Sequence, residues 1–138
     1  MSNVRQIRDK TPDSEKITIN LGYVDLGRID LLVQEGFYSN RSDFIRTAIR
    51  NQLNSHVDTV AKTIERHTME LGLRDYTATD LEALRDAGEM LHVKVVGLAR
   101  IAADVTPELA VQTIGSITVL GALQASPDIK KALADRIK

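Results

Sequence analysis

A short alternating segment near the start of the chain limits what the chain can fold into. Residues 16–21 read KITINL, with apolar side chains at positions 17, 19 and 21 and polar ones between them. This alternation predicts a β-strand over residues 16–22 that buries one face. Because a lone strand leaves its backbone N–H and C=O groups unpaired, the segment needs a partner strand.

Two amphipathic helices are predicted after the strand. The first has the sequence VDLGRIDLLVQEGF, ends at Gly36, and carries four apolar residues on one face: Leu26, Ile29, Leu32 and Val33. The second has an apolar stripe of five residues: Phe44, Ile45, Ala48, Ile49 and Leu53. We expect Ser39 to be its N-cap, with Asp43 in the first turn. Since one strand and two short helices bury too little apolar surface, two copies of the chain are expected to pair their strands antiparallel, with the helices covering the apolar face.

The second half of the chain predicts a different mixture of helices and strands. A helical pattern continues over residues 57–71 and ends near Gly72, and another helix begins at Thr77 or Thr79. Two predicted strands follow, LHVKVVGLARIA and ITVLGALQA. Each is followed by a predicted helix, TPELAVQTI and SPDIKKALADRIK respectively, opened by a hydroxyl cap and a proline.

These segments give an α+β fold class with four predicted parts. They are a flexible arm at residues 1–15, a strand-helix-helix domain at residues 16–56, a helical connector at residues 57–76, and a small α+β domain for oligomerisation or sensing at residues 77–138. Within the last part, Val95-Val96-Gly97 resembles Val119-Leu120-Gly121, 24 residues later. Two β-α units, a short rung-like repeat, or chance would each explain this similarity.

Composition argues against several classes of protein. The 138 residues include no cysteine, which excludes disulfides, thiolate metal sites and a cysteine nucleophile, and suits a reducing cytosol. His56, His67 and His92 lack the spacing of metal ligands, and neither the carboxylates nor the glycines form a catalytic or nucleotide-binding pattern. No apolar run approaches the ~20 residues of a membrane helix. We therefore expect a cytoplasmic protein that is not an enzyme, binds no metal or other cofactor, and does not contact a membrane.

Residues 16–53 resemble the ribbon-helix-helix family of bacterial transcriptional regulators, the MetJ/Arc/CopG group. The matching segments are KITINL for the ribbon, VDLGRIDLLVQEGFY for the first helix and SNRSDFIRTAIRNQL for the second. The resemblance implies an intertwined homodimer that places a two-stranded antiparallel ribbon in the major groove of double-stranded DNA. It also implies binding to tandem operator half-sites, with tetramers or larger assemblies on DNA.

The outward face of the ribbon is the predicted reader of base sequence. With the apolar side chains turned to the core, that face carries three polar residues: Lys16, Thr18 and Asn20. Lysine suits guanine O6 and N7, asparagine suits adenine, and threonine offers a hydroxyl and a methyl group. These three residues are the predicted base contacts.

Phosphate contacts are predicted at the start of the second helix. Unpaired backbone N–H groups and the positive end of the helix dipole attract anions there. The residues at this position are Ser39, Asn40, Arg41 and Ser42. In the family this element anchors to the DNA backbone and sets the register, while the ribbon specifies sequence.

The sequence therefore predicts a homodimeric, sequence-specific DNA-binding regulator that acts as a repressor. Two alternatives stay open. One is an antitoxin whose C-terminal region binds a toxin while the ribbon controls its own operon. The other is a ligand-sensing regulator in which residues 77–138 change the affinity for DNA.

Overall fold

The computed structural model describes residues 14–138, which fall into two compact units, Ser14–Lys62 and Thr63–Lys138. The predicted arm at residues 1–15 lies outside the described residues except for Ser14 and Glu15. The mixture of helices and strands confirms the α+β class for the chain as a whole. Among the described residues, no helix is both long enough and apolar enough to cross a membrane.

The N-terminal unit contains the two predicted amphipathic helices. Helix α1 spans Tyr23–Gln34 and helix α2 spans Arg41–Asn54; α3, Val57–His67, begins soon after. Helix α1 is followed by Gly36, which has a φ of +88°. This conformation lets the N–H groups of Gly36 and Phe37 donate to carbonyls in the last turn of the helix. Both helices lie where the apolar periodicity predicts them.

The predicted strand at residues 16–22 is not paired with any segment of residues 14–138. Residues 14–22 belong to no sheet of the described structure. The physical reason is that a strand requires a partner, and the predicted partner is a second copy of the same segment. The ribbon and the intertwined dimer accordingly stay predictions.

The C-terminal unit alternates strands and helices. In chain order it contains β1 Glu70–Tyr76, α4 Ala78–Ala87, β2 Leu91–Ile101, α5 Pro107–Thr113, β3 Ile114–Gln124 and α6 Pro127–Ala132. The three strands are parallel and form one sheet in the order β1-β2-β3. Of the explanations for the similar tripeptides, β-α units are the one that the structure shows.

The predicted helix over residues 57–71 is partly wrong. Helix α3 ends at His67, and Leu71 and Gly72 lie in β1. Seven residues from Glu70 to Tyr76 pair with residues 95–101 of β2, and this long-range pairing outweighs the local helical periodicity. The strand was missed because its partner lies 25 residues further along the chain.

Each helix after a strand begins at a hydroxyl cap. The side chains of Thr77, Thr106 and Ser126 accept hydrogen bonds from backbone N–H groups in the first turns of α4, α5 and α6. Thr77 and Asp80 form a reciprocal capping box, so Thr77 rather than Thr79 opens α4. Helix α6 is shorter than predicted and ends at Ala132.

A row of glycines crosses the sheet. Gly72, Gly97 and Gly121 are paired in register, with φ of +127°, +138° and +119°. A Cβ added to Gly97 would overlap the carbonyl of Gly72, and one added to Gly121 would overlap the carbonyl of Gly97. The row therefore needs glycine for both backbone conformation and space.

One face of the sheet forms the core of this unit. The buried strand residues Val93, Val95 and Ala99 pack with Leu81, Leu109 and Ile129 from the helices. The alternate residues lie on the opposite face, which we call the outer face. Two in-register rows of aliphatic side chains run across the outer face: Leu71–Val96–Leu120 and Leu73–Leu98–Ala122.

Candidate nucleic-acid interface

The segment before α1 is open to solvent on both sides. Lys16, Thr18 and Asn20, the predicted base contacts, are all exposed. Ile17 and Ile19 are also exposed, by 78% and 60%. Exposed isoleucines at alternate positions mean that the side predicted to face a core is not covered by the part of the chain that the structure describes.

An apolar groove lies beside this segment. Its volume is about 380 Å³, and its lining includes the last part of the segment and facing positions of α1 and α2: Ile19, Leu21, Ile29, Leu32, Phe44, Ile45, Ala48 and Ile49. In the described N-terminal unit Ile29 is the one buried apolar residue, and none of the residues of α2 is buried. A unit with so little core requires further apolar surface to be stable.

The N-terminus of α2 is closed by its own side chains. Asn40, not Ser39, is the N-cap, because the Asn40 backbone is extended and its side-chain oxygen accepts a 2.8 Å hydrogen bond from the Asp43 N–H. The Ser39 N–H donates to the Asp43 carboxylate at 2.9 Å. The ring of Tyr38, in the loop before the helix, contacts the ring of Phe44, in the helix, edge to face with centroids 5.0 Å apart. These contacts fix the loop that leads into α2.

Arg41 is held by an acid from the other helix. Its Nε and Nη2 donate to the two carboxylate oxygens of Asp30, each at 2.8 Å. The hydrogen bonds from Arg41 are the main cause that lowers the pKa of Asp30, and those to Asp30 raise the pKa of Arg41. Within residues 14–138, Nη1 makes no hydrogen bond, so one corner of the guanidinium stays available to an anion.

The structure brings together the four residues of the predicted phosphate site. Ser39, Asn40, Arg41 and Ser42 form the end of one loop and the first turn of α2, and all four are exposed. The backbone N–H of Ser39 is already bonded to Asp43, however, and Arg41 is paired with Asp30. A phosphate would therefore meet the N–H groups of Arg41 and Ser42 and the Nη1 corner of Arg41 first.

Sequence reasoning missed Asp30. It lies eleven residues before Arg41, on a different helix, so no periodicity joins the two. The Asn40 cap had a local signal, since an asparagine followed three residues later by an acid is typical of a helix start. Asparagine and serine are about equally favoured at N-caps, so the acid three residues after Asn40 was the usable indication.

None of the three histidines is among the residues of this site. Among the described residues no cluster of three or more potential metal ligands is present. His92 lies in β2, with its Nδ1 2.8 Å from the Ser116 hydroxyl, and His56 lies 3.3 Å from the Gln52 amide. Both contacts are ordinary hydrogen bonds of polar side chains.

Comparison with known families decides the classification. The sequence model of the Ribbon-Helix-Helix transcriptional regulator family matches residues 12–130. The chain belongs to this family. The match confirms the resemblance seen over residues 16–53 and extends it through most of the C-terminal unit. This member of the Ribbon-Helix-Helix transcriptional regulator family matches no curated protein and no solved structure.

Proposed function

We propose that the protein is a homodimeric DNA-binding repressor whose two copies of residues 16–22 form an antiparallel ribbon in the major groove of an operator. The family membership supports a role in transcriptional regulation. The observation that carries the proposal is the exposed, alternating segment beside the apolar groove. A second copy supplies what this segment lacks, namely backbone partners for the strand and apolar cover for the groove.

The chemistry of the exposed residues supports base reading. If Ile17 and Ile19 turn into a shared core, the alternation of a strand turns Lys16, Thr18 and Asn20 to the other side. None of these three makes a side-chain hydrogen bond or ion pair within residues 14–138, so their donors and acceptors are available. A two-stranded ribbon fits the width of the major groove of B-DNA.

The start of α2 supports a role in backbone contact. Helix α2 offers the N–H groups of its first turn, and Arg41 offers a guanidinium corner. The Asp30 carboxylate reduces the local positive potential, which limits non-specific attraction to phosphate. Backbone contacts then set the register, and the ribbon supplies the sequence preference.

The test is binding of the full chain to the DNA upstream of its own gene. Fluorescence anisotropy at ~0.15 M salt compares this DNA with a scrambled duplex, because specific and non-specific binding differ by ~10³-fold or more at such salt. We expect a preference of at least a hundredfold that is lost in Thr18→Ala/Asn20→Ala. Equal, weak binding to every duplex in a genome-wide selection would refute the proposal.

A cleft in the C-terminal unit favours ligand sensing as a second role. It has a volume of about 610 Å³ and lies at the carboxyl ends of the strands. Half of its lining residues are apolar, and the other half are charged or polar: Asp75, Arg100, Gln124, Ser126 and Lys130. Ligands of parallel sheets bind at this end. A small polar molecule that raises the melting temperature and changes operator affinity in parallel would support sensing. An effect on melting that leaves operator affinity unchanged would oppose it.

A further inference from the structure

One edge of the parallel sheet is unpaired within residues 14–138. Strand β1 lies at the end of the order β1-β2-β3 and pairs with β2 alone among the described residues. The Ala102 N–H donates to the Tyr76 carbonyl at 2.9 Å, so the backbone of Tyr76 faces β2. Because backbone groups alternate sides along a strand, the N–H and C=O groups of Leu71, Leu73 and Asp75 face outward from the sheet.

The opposite edge of the sheet, at β3, is partly paired. The Ile117 N–H donates to the Arg136 carbonyl at 2.9 Å, and the Lys138 N–H donates to the Ile117 carbonyl at 2.8 Å. The end of the chain therefore occupies part of the β3 edge. Strand β1 has no such cover in residues 14–138. It contains no proline or lysine, and its charged residues are Glu70, Arg74 and Asp75.

The side chains of β1 include two exposed leucines. Leu71 is 69% exposed and Leu73 is 48% exposed, and both lie on the outer face. On the other face of the same strand, Glu70 and Arg74 form an exposed ion pair with 2.7 Å between Oε2 and Nε. Two leucines and two opposite charges thus lie symmetrically about Gly72.

We propose that β1 of a second copy of this chain pairs antiparallel with β1 across a two-fold axis at Gly72. In this register Leu71 lies opposite Leu73 of the second copy, and Glu70 lies opposite its Arg74. On the outer face each leucine then lies against a leucine of the second copy. On the inner face each charged side chain lies against one of opposite charge. Cross-strand pairs of both kinds stabilise antiparallel sheets.

Other registers lack this match. Pairing centred on Leu73 sets Leu71 against Asp75 and Gly72 against Arg74. Pairing centred on Arg74 sets the two arginines against each other. A shift by a single residue between these registers places side chains of the inner and outer faces opposite each other. The charge pattern therefore selects the axis at Gly72.

The backbone supports the same axis. The backbone N–H and C=O groups of Leu71 and Leu73 face outward. Each of these residues therefore forms a hydrogen-bonded pair with the other leucine of the second copy, which gives about four backbone hydrogen bonds in all. Gly72 meets its own copy in the pair that lacks hydrogen bonds, where Cα atoms approach to about 4.5 Å. A glycine brings no Cβ into that space, and nothing in the described chain lies within 4 Å of the Cβ position.

The result is a continuous six-stranded sheet made from two C-terminal units, in the order 3-2-1-1-2-3. This association uses no residue of the N-terminal unit. It holds whether or not residues 16–22 form a ribbon, and its test does not use DNA.

Cysteine cross-linking of the full chain tests the register directly, because the natural sequence has no cysteine. Chains carrying Leu71→Cys and Leu73→Cys, with tags of different size, are co-expressed and mildly oxidised. We expect the mixed disulfide to exceed either self-disulfide at least tenfold, with the joined peptides identified by mass spectrometry. The matched control is Leu120→Cys, a leucine of the same outer face that is 62% exposed in β3. Mixed cross-linking no stronger than that of Leu120→Cys, or dominated by Leu73→Cys with itself, would overturn the proposal.

Charge exchange tests the pairing between copies. When both cysteine chains also carry Glu70→Arg, like charges meet and we expect cross-linking to fall at least fivefold. When Glu70→Arg is placed in one chain and Arg74→Glu in the other, both cross-strand pairs are restored and cross-linking should recover. Neither of these chains can form the ion pair within itself, so recovery reports contact between copies. Equal cross-linking in the two mixtures would show that the charges do not meet across the edge.

Discussion

Substitution of Gly97, the central glycine of the row, by alanine tests why the row needs glycine. At φ of +138° an alanine is strained, which costs about 1–3 kcal/mol. Its Cβ would also overlap the Gly72 carbonyl, with 3.0 Å to the carbonyl carbon, and the neighbouring backbone must move at a further cost of about 1–3 kcal/mol. We therefore expect Gly97→Ala to lower the free energy of unfolding by about 4 kcal/mol.

The matched control for this substitution is Gly72→Ala. Gly72 has a similar φ of +127° but open space at its Cβ position within its own chain, so in a chain that is not paired through β1 alanine there brings strain without overlap. We expect about 1–3 kcal/mol for Gly72→Ala. Urea unfolding followed by circular dichroism measures both, and about 4 kcal/mol moves the midpoint by roughly 2 M at a slope typical of small domains. If the two variants are equally stable, the close approach of the strands is not a reason why the row requires glycine.

Four further predictions concern the DNA-facing residues and one helix cap. Asn20→Ala should relax the preference at one base position by ~1–3 kcal/mol, measured on an operator and its single-base variants. Arg41→Ala should weaken binding to all sequences and flatten the plot of affinity against salt by about one unit, whereas an unchanged slope would remove Arg41 from the phosphate contacts. Arg41 lowers the pKa of Asp30 below its ordinary value of 3.8, so the stability from this pair is fully present above that value and is lost as pH falls through the lowered pKa. An NMR titration of the Asp30 carboxyl group should show the lowered pKa, and Arg41→Ala should return the titration midpoint towards 3.8. Thr77→Ala removes the cap of α4 and should cost ~1 kcal/mol in thermal unfolding, and no loss would mean that the capping box contributes little.

Local signals in the sequence predicted the helices and two of the three strands. The caps at Thr106 and Ser126, each followed by proline, act within one turn of helix, so the sequence contains the whole signal. The apolar periodicity of α1 and α2 is local in the same sense. These features needed no knowledge of what packs against them.

Long-range pairing explains the features that the sequence did not reveal. Strand β1 was hidden in an apparent helix because its identity depends on contact with β2, and with it the third glycine of the row, Gly72, was missed. At the candidate site, alternation predicts Lys16, Thr18 and Asn20 as base contacts, and this stays a prediction. The Asp30–Arg41 pair was not predicted, since it joins two helices through a loop whose course no pattern determines.

The glycine row also has a consequence for how the number of strand-helix units can change during evolution. Gly72, Gly97 and Gly121 recur at intervals of 25 and 24 residues, one in each strand-helix unit. Because such units mainly contact their neighbours, a duplicated unit brings its own glycine and matches the strands on both sides of it. Gain or loss of a whole unit by recombination would therefore lengthen or shorten the sheet, while the loss of a single glycine would interrupt it.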